Sequence, residues 1–378
     1  MGFSAGFFGY LAVFIVAQEL KLKIPLLTDI QQLSIDSMRT FVQQEVTPHQ
    51  ALLRFGPASR EQLLDYTQAV AEFGLPGLAV PKAFGGSGMD WVIQARLFEE
   101  LVKGSVELAS VVLINMLAAE VLMEQPALCP QYLPDLLAGR CIAGLGPVLA
   151  GEGHGLRAQR VDADFILDGN IDEVASGLWA SFLISSVEVE NQDACLLLLD
   201  RRRDRFETRG IRLESNVARA QITATRVNQG FCLGRVGQES ALTRKLMNFV
   251  RLHEGISRVA QGQAILDAFL AERAKPGAAP TERLVTLHLA EMITQVESAR
   301  LMCHHGLVLA QSGQDCETES NMALFFAQSA IERVERHAAW VNAAGAGRSP
   351  LVSLQLGPLS RPSISQAAAA IVRLRTTS

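Results

Sequence analysis

Apolar residues recur at helical spacing from about residue 29. Ile30, Leu33, Ile35, Met38 and Phe41 predict one apolar stripe, with Thr28 or Asp29 as its N-cap. A second helix is predicted from about Glu61 to Phe73, stopped by Gly74. Leu75 to Pro81 reads as an extended link and Gly85-Gly86-Ser87-Gly88 as a turn. Trp91 to Lys103 and Glu107 to Met123 read as two more helices. Near Arg140 the period changes. From Cys141 to Gly234 short strand-like runs take over, among them Phe165-Ile166-Leu167, Phe182-Leu183-Ile184, Cys195 to Leu199 and Gln221 to Val227, with Gly, Asp and Asn between them. Helical spacing then returns over Leu242 to Ala274, Glu282 to Gln311, Glu317 to Asn342 and about Ser363 to Arg375, with Pro276 to Pro280 separating the first two. The pattern predicts an α+β protein. It has an N-terminal helical domain (26–139), a central antiparallel β domain (140–237) and a C-terminal four-helix bundle (238–378), after an atypical apolar extension at 1–25.

Composition narrows the function classes. Hydrophobic residues make up 49% of the chain and charged ones 19%, which is the balance of a folded globular protein. A net charge of -5 carries no basic face for nucleic acid. The one dense basic run, Arg201-Arg202-Arg203-Asp204-Arg205, falls between strand-like segments and reads as a solvated loop. Six cysteines without Cys-x-x-Cys spacing fit reduced, buried thiols in a cytoplasmic protein. The histidines are dispersed, and the adjacent His304 and His305 point about 100° apart on a helix, so no metal site is predicted. The uncharged stretch Gly2 to Ala17 is shorter than the roughly 20 residues of a spanning helix and lacks a positive n-region. Three readings remain open for it: a membrane-associating anchor, an extra packing helix, or translation from a start upstream of the true one.

Several segments, in order and at the right spacing, resemble the acyl-CoA dehydrogenase family from about Leu26 to the end. Gly74-Leu75-Pro76-Gly77-Leu78-Ala79-Val80-Pro81, followed by Phe84 to Asp90, is similar to the link between the family's second and third helices. Leu167-Asp168-Gly169 resembles the turn before its flavin-contacting strand. Leu289 to Met292 with Val296 to Arg300, and then Ala323 to Val334, resemble the middle of its bundle. The resemblance implies FAD held between subunits of an oligomer and an acyl thioester as substrate. A carboxylate would take the α-proton while the β-hydride passes to the flavin.

The expected chemical groups are missing. No Asp or Glu follows Glu335, and the stretch matching the family's Tyr-Glu-Gly-Thr segment is Gln366 to Ala370. The other position for the base, one residue before an Arg on the first bundle helix, is Val250 before Arg251. Glu254, one helical turn from Val250, is the candidate relocated base, against a bland reading as a salt-bridged glutamate. Arg251 is the candidate contact to the thioester or the CoA diphosphate, against a structural ion pair. The flavin loop, Pro147 to Gly155, has lost the family's polar side chains but could still offer backbone amides to a phosphate, with Gly151 and Gly153 as the candidates. The family's Lys-x-Trp-Ile-Thr strand reads Ile171 to Ala175, so Ala175 and Ser176 stand where FAD contacts are expected, and Asp172 and Glu173 would repel a reduced flavin. Pro276 to Pro280 replaces an Arg-x-x-Phe-Gly, and Trp340 to Ala346 replaces a glycine-rich loop, with Trp340 able to fill the vacated volume. Glu297 and Arg300 read as packing and interhelical pairing.

The resulting expectation is an acyl-CoA dehydrogenase-like chain that is non-catalytic or a partner subunit of a heteromeric enzyme. The alternatives are a divergent dehydrogenase using Glu254, a flavin-dependent monooxygenase on the same fold, and a decayed product. Expected partners are an acyl-CoA or acyl-carrier thioester and copies of this chain or an intact relative.

Overall fold

A computed structural model describes residues 27–55, 59–148, 154–190, 194–211, 216–235, 241–273 and 283–341. The apolar extension, the break at 276–280, Gly151, Gly153 and the helix expected at 363–375 lie outside these residues.

The helical starts follow local chemistry. Helix α1 (Asp29–Phe41) opens on Thr28, whose hydroxyl accepts from the Gln31 amide while the Gln31 side chain returns to the Thr28 amide. After α2 (Gln50–Phe55), α3 (Arg60–Glu72) repeats the device with Ser59 and Gln62. The expected stripe on α1 is half right. Ile35 and Met38 are buried, but Ile30 and Leu33 stand in solvent at 72% and 67% exposure. Leu33 precedes Ile35 by two positions, about 200° around the helix, so the two cannot share a face.

Helices α4 (Trp91–Gly104) and α5 (Val106–Leu122) form the centre of the N-terminal domain, and every residue of α5 is buried. Such a helix has no solvent face, so its polar residues must be satisfied inside the protein. Asn115 meets that need by accepting from the Ala143 amide at 2.9 Å and donating to the Cys141 carbonyl at 3.2 Å, which ties α5 to the first strand. Helix α6 (Cys129–Leu137) completes the domain.

The strands are β1 (Ala143–Leu145), β2 (His154–Val161), β3 (Asp164–Val174), β4 (Phe182–Val189), β5 (Cys195–Asp200), β6 (Glu207–Gly210), β7 (Ala218–Asn228) and β8 (Cys232–Arg235). Their order is β6-β7-β3-β2-β4-β5-β8, with β1 added alongside β4. The expected all-antiparallel domain is in fact mixed, because β1 and a short part of β2 run parallel to β4. Leu167-Asp168-Gly169 is no turn. It lies inside β3, where the register against β7 shifts between Leu167 and Gly169.

The arginine run also departs from expectation. Arg201–Asp204 forms a helical turn, α7. Arg201 donates to the Ala180 carbonyl at 2.6 Å and the Thr208 hydroxyl at 2.9 Å. The Arg203 guanidinium lies over the Phe231 ring at 3.4 Å from its centroid. Arg202, within that turn, and Arg205, just after it, are exposed as expected.

Three long helices follow: α8 (Ala241–Arg273), α9 (Arg283–Gln311) and α10 (Glu317–Val341). They pack on one another, and α8 also packs on α4 and α5. One continuous apolar core therefore runs from α1 through α4 and α5, the β1–β4–β5 face and the first half of α8.

Candidate active site

The base position lies on α8. Val250 is 1% exposed and belongs to the main core with Leu246, Met247 and Phe249. Phe249 meets Trp91 of α4 edge-on, with centroids 5.2 Å apart. The position at which the resemblance expects a carboxylate is therefore sealed in hydrocarbon.

Glu254, one turn further, is 7% exposed and accepts from Arg258 at 2.6 Å, also on α8. Burial raises its pKa, and the Arg258 cation only partly offsets this. Its second oxygen, Oε2, has no hydrogen-bond partner. A buried carboxyl with a raised pKa and a free oxygen has the properties of a general base, but the guanidinium holds its other oxygen.

Arg251 is mostly buried. Its Nη1 donates to Asn248 Oδ1 at 3.2 Å and approaches Glu317 at 3.9 Å, while Ser320 donates to the same Asn248 oxygen at 2.8 Å. Burial lowers its pKa and Glu317 opposes the shift. Nε has no partner. The structure thus brings Arg251 against the start of α10, in the ion pair of its bland reading, and does not pair it with Glu254.

On the flavin wall, the Ala175 amide donates to the Leu145 carbonyl at 2.8 Å and the Leu145 amide donates back at 3.0 Å. Ala175 is 0% exposed, and Ser176 and Val148 are buried. Ser176 holds φ +53°, an unusual conformation for a residue with a side chain. A Cβ built on Gly144 would meet Leu183 at 2.7 Å and Ala180 at 2.9 Å, so that glycine leaves no cradle open. Asp172 is turned outward and pairs with Arg219 at 3.1 Å. Trp340 fills no volume. It stands half exposed against His288.

The interhelical pairing expected of Arg300 is part of a buried polar hub whose other members, Glu99, Arg96 and Gln263, were not expected from the sequence. Arg300 of α9 binds Glu99 of α4 in two places, Nη2 to Oε1 at 2.8 Å and Nε to Oε2 at 3.2 Å. It also bonds Glu297 and, at 2.9 Å, Gln263 of α8. Arg96 adds a second cation to Glu99 at 2.9 Å. The readable signal was Glu99-Glu100 flanked by Leu97, Phe98, Leu101 and Val102 in one helix. Among the described residues no group of three or more His, Cys, Asp or Glu could hold a metal.

Residues 28–140 match the acyl-CoA dehydrogenase N-terminal domain. The chain is 29% identical to the mitochondrial long-chain specific acyl-CoA dehydrogenase of Rattus norvegicus over 170 residues, 42% of this chain and 38% of that protein. It is 30% identical to (2S)-methylsuccinyl-CoA dehydrogenase of Cereibacter sphaeroides over 111 residues, 28% of this chain and 20% of that protein. In three dimensions it overlays glutaryl-coenzyme A dehydrogenase in its glutaryl-CoA complex with TM-score 0.78 at 20% identity, over 93% of this chain and 96% of that one. A probable acyl-CoA dehydrogenase from Mycobacterium abscessus gives TM-score 0.77 at 22% identity, over 92% of this chain and 99% of that one. The N-terminal helical region of this chain is an acyl-CoA dehydrogenase N-terminal domain, and the chain shares the acyl-CoA dehydrogenase fold. The sequence matches span less than half the length of these relatives, whereas the acyl-CoA dehydrogenase fold extends over nearly all of the described chain.

Against that fold, the described wall does not fit a flavin ring. Residue 175 offers no hydroxyl, its amide is already used, and the chain's own side chains close the face.

Proposed function

We propose that this chain is an acyl-CoA dehydrogenase-like subunit without dehydrogenation chemistry of its own, which assembles with an intact member of the family. The observation that carries this reading is Val250: where the base should stand, a valine is 1% exposed inside a continuous apolar core. A core residue of that kind contributes roughly 1.5–3 kcal/mol by burial and cannot move a proton. The closed wall at Ala175 supports the same reading, since FAD then has to come with the other subunit. An acyl-CoA or acyl-carrier thioester would reach this chain only through the assembly, with Arg251 as its nearest cation.

The test is the visible spectrum of the purified chain, alone and co-expressed with an intact acyl-CoA dehydrogenase from the same source. The expected result is a colourless chain that co-purifies in a yellow complex. Flavin bands from the lone chain that bleach on adding an acyl-CoA would overturn the proposal.

A second reading rests on the free Oε2 of Glu254. If the lone chain bleaches, Glu254→Gln should abolish the bleaching while leaving the flavin bands in place.

A further inference from the structure

Helices α9 and α10 meet with the start of one beside the end of the other, and two histidines face each other there. His288 Nδ1 and His337 Nδ1 lie 2.7 Å apart, with ring centroids at 4.9 Å. At that distance the nitrogens cannot both carry a proton, and two bare lone pairs would repel. The contact requires one proton between them, with one ring donating from Nδ1 and the other accepting. Trp340, on the next turn of α10, lies against His288 with centroids 4.1 Å apart and keeps 50% of its surface in solvent.

The surroundings set how the pair titrates. Leu289 and Ala338, the chain neighbours of the two histidines, belong to the buried apolar cluster of the bundle. The charged groups acting on His337 are Glu291 on α9 and Arg333 and Arg336 on α10. Burial is the main reason His337 is held below its ordinary pKa. His288 and the two arginines add to the shift, and Glu291 opposes it.

We propose that His288 and His337 form a proton-sharing latch that fastens α9 to α10 and releases when both rings are protonated. A first proton can enter without breaking the contact. The donor ring becomes an imidazolium and its hydrogen bond to the partner strengthens. A second proton puts two N–H groups and two positive charges face to face, and the rings must part. The latch sits four residues before α10 ends at Val341, so its release frees the last turn and the indole of Trp340. It depends on no flavin and no catalytic base, and it stands or falls separately from the function proposed above.

Trp340 reports on the latch. Its emission in the full chain, isolated by subtracting the spectrum of Trp340→Phe, is followed from pH 8 to pH 4.5. The expected result has two phases: quenching as the pair beside the indole takes its first proton, then a red shift as the rings separate. His337→Gln should remove the red-shift phase, and His288→Gln, which breaks the contact from the other side, should remove both. The latch is overturned if wild-type Trp340 emission does not change over this range. It is equally overturned if either glutamine variant keeps the wild-type profile. Should one variant fail to fold, the other decides.

Discussion

Glu99 and Glu254 are both buried glutamates, yet they titrate in opposite directions. Burial pushes both carboxyls up. At Glu99 the cations of Arg300, Arg96 and Lys103 overcome that push and hold it well below the usual range, whereas Glu254 has only Arg258 and stays high. The number and placement of cations, not burial itself, decide which carboxyl is ready to take a proton. The same logic applies to two neutral histidines in the interior. Burial lowers His253 to about 4, although its Nδ1–H donates to the Phe249 carbonyl at 2.8 Å. It lowers His304 to about 3, and neither ring nitrogen of His304 has a partner. Both folded values lie below the unfolded value near 6.5. The folded state therefore binds fewer protons, and stability is full above about pH 6.5 and is lost as pH falls toward the folded values. By pH 5 each ring should have cost about 2 kcal/mol. Urea unfolding at pH 7.5 and pH 5 should show this loss, and His304→Met should remove roughly half of it while changing stability at pH 7.5 by less than about 1 kcal/mol. An unchanged pH dependence in His304→Met would show that this ring is not buried neutral.

Most elements were legible in the sequence because their signals are local. The helix starts at Thr28 and Ser59 are written in their capping residues, and the strands at Phe165, Phe182, Cys195 and Gln221 stand in short strand-like runs bounded by turn formers. What was not legible depends on contacts between distant residues. The parallel pairing of β1 with β4, the two arginines that tie the strand ends, and the bidentate pair between Glu99 and Arg300 each join positions far apart in sequence. At the candidate site, the absent carboxylates at 250 and in the final segment were plain, but the ion pair that engages Glu254 appeared only in three dimensions. Gly169 shows the same division within one strand. Its sequence context read as a turn, yet it sits in β3 with φ +133° because the β3–β2 backbones approach closely. A Cβ there would come within 1.6 Å of the Gly155 carbonyl oxygen. Neither backbone can yield without breaking the ladder, so Gly169→Ala should cost about 3 kcal/mol or more. Thermal unfolding would check it, and a shift in Tm no larger than about 2 °C would mean the ladder accommodates the methyl by slipping register.

At the scale of the molecule, the boundaries drawn from periodicity do not divide the interior. One apolar core crosses from the N-terminal helices through the sheet to α8, and the Glu99–Arg300 hub fastens the N-terminal domain to the bundle from within. Both side chains are almost fully buried. Removing one partner leaves a bare charge in the interior, whereas removing both leaves volume to be filled and, as the remaining charges, Arg96 and Glu297, whose side chains are 19% and 24% exposed and reach water. Arg300→Met should therefore destabilise the chain by about 3–5 kcal/mol, and Glu99→Leu should cost a similar amount. The double variant should recover most of that loss, because Leu and Met extend the surrounding core that includes Leu101 and Cys303. Lysine in place of Arg300 should rescue little, since an ammonium cannot span both oxygens of Glu99 while also reaching Glu297 and Gln263. Urea unfolding of the four variants closes the cycle. A double variant whose loss equals the sum of the single losses would show that the two residues act independently. In that case the domains would be held together by the shared apolar core alone.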